Sequence, residues 1–159
     1  MVLPTGRLIA PRPLLIALHG FSSSGKALDS ALHLRTVATY AKAARCRPAA
    51  PVSVLHIHGT ADPVVSYDGG VILAPYPSAA STVRTWATYD GCNLSKGLRR
   101  SGRLDVNASI AGKETTSFSY SCPRGVEVTL WSVDGGTHSP SVSKGFSALV
   151  LDWLLRHKR

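Results

Sequence analysis

The sequence predicts an α/β fold, a mostly parallel sheet flanked by helices, and three observations carry that expectation. Two short apolar runs, Pro13 to His19 (PLLIALH) and Val52 to His58 (VSVLHIH), read as buried parallel strands. Strands covered on both faces are apolar without strict alternation. Segments of helical period lie at 27–45, 78–89 and 144–157, between and after those runs. Both runs also stop at a His-Gly pair, so each delivers a turn at its carboxyl end, where open α/β sheets place their working residues.

The chain of 159 residues is expected to be one domain, long enough to bury about two thirds of its unfolded surface. At 44% hydrophobic and 17% charged it reads as globular. No apolar run approaches the length of a membrane span, so no membrane partner is expected. The opening MVLPTGRLIAPRPLLIALHG is broken by Arg7, Pro11, Arg12 and Pro13 and lacks a small-residue cleavage site. It therefore reads as a cytosolic start, or as a version of the chain without its leader. The net charge of +9 raises nucleic acid as a partner. Its basic residues are dense only at Lys96–Arg103 and Arg156–Arg159, and no aromatic residues interleave with them as a stacking platform would require. A solvated basic surface is the reading taken, with no nucleic-acid partner. Nothing in the sequence speaks to oligomeric state.

In chain order, the first strand runs into the small-residue loop Gly20–Gly25, and residues 27–45 form an Ala-rich helix that Pro48 and Pro51 end. The strand from Val52 follows, then the turn Thr60-Ala61-Asp62-Pro63 and a DGG turn at 68–70. Ser78 is the expected N-cap of a helix to Tyr89, with Val83 and Trp86 facing inward. Residues 91–103 read as a basic loop, and strands are expected at about 104–110, 115–121 and 126–133, the last alternating apolar and polar. Phe146, Leu149, Val150, Trp153 and Leu154 make one stripe of the closing helix. The N-x-S triplets at Asn93 and Asn107 read as chance matches. Of the three cysteines, Cys92 and Cys122 bracket a polar, loop-rich segment and Cys46 stands apart. They are either a disulfide in an exported protein plus one thiol, or three unpaired thiols. No CxxC pair points to zinc.

Three strands thus end in glycine-containing turns: His19-Gly20-Phe21, His58-Gly59 with Asp62, and Gly135-Gly136 with His138. Gathered on one sheet edge, they would supply backbone amides, a carboxylate and an imidazole. A hydrolytic triad needs those parts, because the carboxylate holds the imidazole's tautomer and the amides receive the oxyanion. Asp62 alone is as well explained as an Asx-turn former before Pro63. His138 is alternatively a turn histidine, and His19 and His58 read as satisfied structural histidines.

The same residues carry a family resemblance. LLIALHGFSSSG resembles the oxyanion-loop segment of α/β-hydrolase esterases in the polyhydroxybutyrate depolymerase and feruloyl esterase group, and PVSVLHIHGTADPVVSYDGG resembles that group's acid-bearing strand. WATYDGC, the Cys122 region, LWSVDGGTHSP and FSALVLDWLL resemble its C-terminal third. The resemblance covers about 12–26 and 47–157. It implies a reduced α/β-hydrolase-like domain acting on short-chain, aryl or polyester carboxylic esters by acyl transfer. Asp62 would be the triad acid and His138 the base, Gly20 and Phe21 the oxyanion loop, and Cys92–Cys122 a disulfide of the family's type. It also implies export, a small-molecule or polymeric ester as partner, and no metal or organic cofactor.

One departure is large. The family's nucleophile sits in a G-x-S-x-G elbow, and that pattern occurs nowhere in this chain. Only the helix at 27–45 separates the oxyanion loop from the acid strand, so the domain is expected to carry an internal deletion near 27–46. Ser22, Ser23 and Ser24 are the candidate replacement nucleophiles; otherwise they simply form the tight loop. Two other readings stand beside this one. The first is a non-catalytic esterase remnant. The second is a phosphate or nucleotide site, because Gly20–Lys26 fits G-x-x-x-x-G-K between a strand and a helix, although Ala27 lacks the magnesium-ligating hydroxyl.

Overall fold

The computed structural model describes residues 51–72 and 75–157. The expected strand at Pro13–His19, the loop Gly20–Lys26, the helix at 27–45 and Cys46 lie outside them. Within them the order is β1 (Val54–Gly59), β2 (Gly70–Val71), β3 (Pro75–Tyr76), α1 (Ala79–Tyr89), β4 (Arg99–Leu104), β5 (Thr115–Ser121), a 3₁₀ turn (Pro123–Gly125), β6 (Glu127–Val133) and α2 (Phe146–Arg156). Four strands form one sheet in the order β1-β6-β5-β4, and β2 and β3 form a small ribbon.

α1 is a helix because Ser78 starts it and its apolar residues return at helical spacing. The Ser78 hydroxyl oxygen accepts from the Ser81 N–H, as the sequence predicts for that position. Val83 and Ala87 are fully buried, and together with half-buried Trp86 they pack on Val54, Tyr120, Val128 and Leu130. α2 covers the opposite face. Trp153 is buried with Val106, Trp131 and Val133, and Phe146, Leu149, Val150 and Leu154 pack around them, the stripe expected from the sequence. The described chain is therefore a sheet between two helical layers, α/β in character.

The sheet is mixed, which corrects the expectation of a mostly parallel one. Among the described residues, only the β1–β6 pairing of this sheet is parallel, in the register Val54↔Val128 through Gly59↔Val133. β6 with β5 and β5 with β4 are antiparallel. Connection length decides this. β5 ends at Ser121 and β6 starts at Glu127, too short a link for a crossover, whereas the chain between β1 and β6 has ample length for one.

β4 is a second correction. It falls within the segment read as a basic loop, and the strand expected at about 104–110 is instead a turn. Cross-strand pairing with β5 outweighs the poor strand propensity of Arg-Arg-Ser-Gly-Arg, and a bulge between Arg100 and Gly102 absorbs the misfit. Past Leu104 the backbone is diverted by Glu114, whose Oε1 accepts from the Val106 N–H (2.9 Å), the Asn107 N–H (2.8 Å) and the Thr115 hydroxyl (2.7 Å). Central β6 is buried along nearly its whole length, so its polar positions face the interior rather than water. Thr129 there accepts from the Trp153 indole N–H at 3.2 Å.

Burial pushes the Glu114 carboxyl up, but these hydrogen bonds hold it below its ordinary value of 4.5. A depressed carboxylate contributes stability that is present above its unfolded value and lost as pH falls through the folded one. Glu114→Gln is therefore expected to cost about 1–2 kcal/mol at pH 7. In urea denaturation the gap to wild type should close as pH drops below 4.5; a gap that does not change with pH would contradict it.

Cys92 and Cys122 form a disulfide 30 residues apart in sequence, joining the chain just past α1 to the end of β5. Loop-closure entropy puts its stabilisation at about 3–4 kcal/mol. Asn107 is buried and Asn93 is exposed; each side-chain oxygen accepts from the backbone N–H two residues on.

Candidate active site

Parallel pairing of β1 and β6 brings the residues after Gly59 beside those after Val133. The Thr60 N–H donates to Val133 O at 2.9 Å, and the Ala61 N–H donates to Gly136 O at 3.0 Å. The Thr60 hydroxyl oxygen accepts from the Gly135 N–H at 2.9 Å and the hydroxyl points its proton at Asp134 Oδ1, 3.4 Å away. Gly135 has φ +70°, a conformation that favours glycine, and the turn is closed by Gly136 N–H to Val133 O at 3.0 Å. The two turns touch at Gly59 and Gly136: a methyl group built on Gly59 would lie 2.2 Å from the Gly136 carbonyl oxygen.

This seam carries Asp62 and His138, 76 residues apart in sequence, into contact at 2.9 Å between Oδ2 and Nδ1. The other oxygen, Oδ1, accepts from the Val64 N–H (2.8 Å) and the Val65 N–H (2.9 Å). The two sequence readings of Asp62, turn former and partner to an imidazole, are thus both realised, one by each oxygen. Its side chain is 6% exposed and that of His138 is 21% exposed. Burial pushes the Asp62 carboxyl up, yet the hydrogen bonds from His138, Val65 and Val64 outweigh it and hold the group below its ordinary value. An ionised carboxylate can only accept, so the His138 Nδ1 carries the shared proton and the neutral ring has its basic lone pair on Nε2.

Two histidines of β1 lie beside this pair. His58 Nε2 is 2.9 Å from Val65 O and 3.6 Å from Asp62 Oδ2. His56 Nε2 is 3.4 Å from His58 Nδ1. Burial, reinforced by the neighbouring His58 ring, lowers His56 to about 4, so it is neutral at neutral pH. Sequence reading noted His58 only as a satisfied strand-end residue and passed over His56 and the Thr60 hydroxyl. The available signal was His-x-His within one strand, because alternate residues share a face.

Of the residues singled out in the sequence, Asp62 and His138 are brought together. Gly20, Phe21, Ser22, Ser23, Ser24 and Lys26 lie outside the described residues. Among the described residues no group of three or more His, Cys, Asp or Glu side chains is placed to hold a metal ion, and no helix is long and apolar enough to cross a membrane.

No protein-family model matches the chain. Over 106 residues, 63% of its length, it is 28% identical to feruloyl esterase B of Piromyces equi. The chain spans about a fifth of that protein, the matched part being 18% of it. The similarity is thus to an esterase, and the fold that carries the histidine–carboxylate contact is a mixed-sheet α/β structure.

Proposed function

We propose that this protein is a carboxylic-ester hydrolase of the α/β-hydrolase type, formed by a single reduced domain. The observation that carries the reading is the half-buried Asp62–His138 hydrogen bond at the carboxyl ends of two parallel strands. Similarity to a feruloyl esterase supports it. His138 Nε2 takes the proton from a nucleophile as it attacks the ester carbonyl, then returns it to the departing alcohol. Asp62 holds the ring in the tautomer that permits this and stabilises the imidazolium that forms. The amide of Phe21, in the loop opened by Gly20, receives the developing oxyanion. Ser22, Ser23 or Ser24 supplies the nucleophile, because the chain has no G-x-S-x-G serine. The substrate class is a short-chain, aryl or polyester ester, as in the polyhydroxybutyrate depolymerase and feruloyl esterase group. Export is the proposed location, in keeping with the Cys92–Cys122 disulfide.

The missing elbow motif favours a second reading, a folded esterase remnant that binds ester ligands without turnover. Fluorophosphonate labelling followed by peptide mapping separates the two. A covalent adduct on one of Ser22–Ser24 is expected for the hydrolase, and a chain that takes up no label is the remnant.

A further inference from the structure

We infer that His58 is a positioning residue for the Asp62–His138 pair, holding from the end of β1 the turn that presents the carboxylate. A carbonyl oxygen can only accept, so the 2.9 Å contact between His58 Nε2 and Val65 O requires the proton on Nε2. Nδ1 of the same ring then carries a lone pair, and it faces His56 Nε2 at 3.4 Å as the acceptor. His56 is half-buried and neutral, lowered to about 4 chiefly by desolvation, so it supplies a donor without placing a charge beside the site. The edge of Tyr67 packs against the His58 ring at a centroid distance of 5.5 Å and restricts its rotation. His58 is thereby held on three sides: by the Val65 carbonyl, by His56 and by Tyr67.

That fixed ring acts on the turn at a residue that also holds the acid. Val65 receives the His58 proton through its carbonyl and gives its own N–H to Asp62 Oδ1 at 2.9 Å. The 62–65 turn is therefore closed twice, once by Asp62 itself and once from the strand below. His58 Nε2 also lies 3.6 Å from Oδ2, the oxygen that holds His138. The Val65 carbonyl and N–H flank one Cα, so without His58 the 65–66 peptide keeps only the bond from the Ser66 N–H to the Tyr76 hydroxyl oxygen at 2.9 Å, and a turn at the Val65 Cα shifts its N–H from Oδ1 and swings Oδ2 from the imidazole. A satisfied histidine with a purely structural role would affect melting alone. A positioning role affects the His138–Asp62 contact itself.

The catalytic consequence rests on the hydrolase reading, and the experiment keeps the two apart. The His138 Nδ1 proton, bonded to a carboxylate, gives a proton NMR resonance well downfield of the amides, assigned by its absence in His138→Ala. In full-length His58→Gln the side-chain N–H can still reach the Val65 carbonyl, and the resonance should persist with kcat/KM within about threefold of wild type. In His58→Phe, which keeps the ring's bulk but no donor, the resonance should vanish and kcat fall about 10- to 100-fold with KM little changed. Loss of the resonance in His58→Phe alone, in a chain without turnover, upholds the positioning role and counts against the hydrolase. A resonance that survives in His58→Phe overturns the inference. So does its loss in both variants, because a donor at that position is then not what holds the pair.

Discussion

His138→Ala is expected to abolish hydrolysis of p-nitrophenyl acetate and butyrate, lowering kcat/KM by at least about 10³-fold while the chain keeps its fold. The imidazole contacts the Asp62 carboxylate through Nδ1 at 2.9 Å, and His138 belongs to neither hydrophobic cluster of the sheet, so its removal is expected to spare the core. Asp62→Asn should fall in the same direction for a different reason. Its amide N–H in place of Oδ2 would require Nδ1 to accept, moving the proton to Nε2, where the base needs its lone pair. A wrong tautomer of this kind costs about 10⁴-fold in triad enzymes. Initial rates on both esters, corrected for buffer, decide the matter. Equal rates in wild type and His138→Ala would mean that no triad operates and that the remnant reading holds.

The second large effect belongs to a residue without a side chain. Gly59→Ala should destabilise the protein by about 3 kcal/mol or more. A methyl group there would sit 2.2 Å from the Gly136 oxygen and 2.4 Å from its carbonyl carbon, both backbone atoms that cannot rotate aside. The two turns would have to part, and with them the bonds from Thr60 to Val133 and from Ala61 to Gly136. Activity should fall together with stability. Gly136→Ala meets the Val133 side chain at 2.7 Å and its Cβ at 2.9 Å, a milder overlap than 2.2 Å against a carbonyl oxygen, so its cost should be the smaller. Urea denaturation of the two variants checks the order; a Gly59→Ala protein as stable as wild type would show that the seam does not constrain the fold.

What the sequence made legible follows the length scale of the forces involved. α1 and α2 were readable because capping at Ser78 and the stripe ending in Trp153 and Leu154 are local, periodic signals. The approach of Asp62 to His138 was anticipated from strand ends marked by glycine and from a family resemblance, and Asp62 makes both the turn bonds and the contact with the imidazole. β4 escaped notice because nothing in Arg-Arg-Ser-Gly-Arg favours a strand; its partner β5 imposes it. Sheet direction was misjudged because apolar content reports burial, whereas the short link between Ser121 and Glu127 sets the polarity of that pair. The His56–His58 contact was hidden for a related reason, since two side chains at the same face of a strand look like ordinary alternation until a neighbouring turn closes over them.

Among the described residues, the backbone bonds joining the Asp62 turn to the His138 turn run between residues 60–61 and 133–136, with the Thr60 hydroxyl adding one to the Gly135 N–H. Asp62 and His138 are consequently carried by one compact unit: two adjacent strands and the peptide stitches between their tips. Such a unit draws its geometry from contacts between two neighbouring strand tips rather than from the rest of the sheet. The same independence means that an intact acid–base pair is no guarantee of an attacking group beside it.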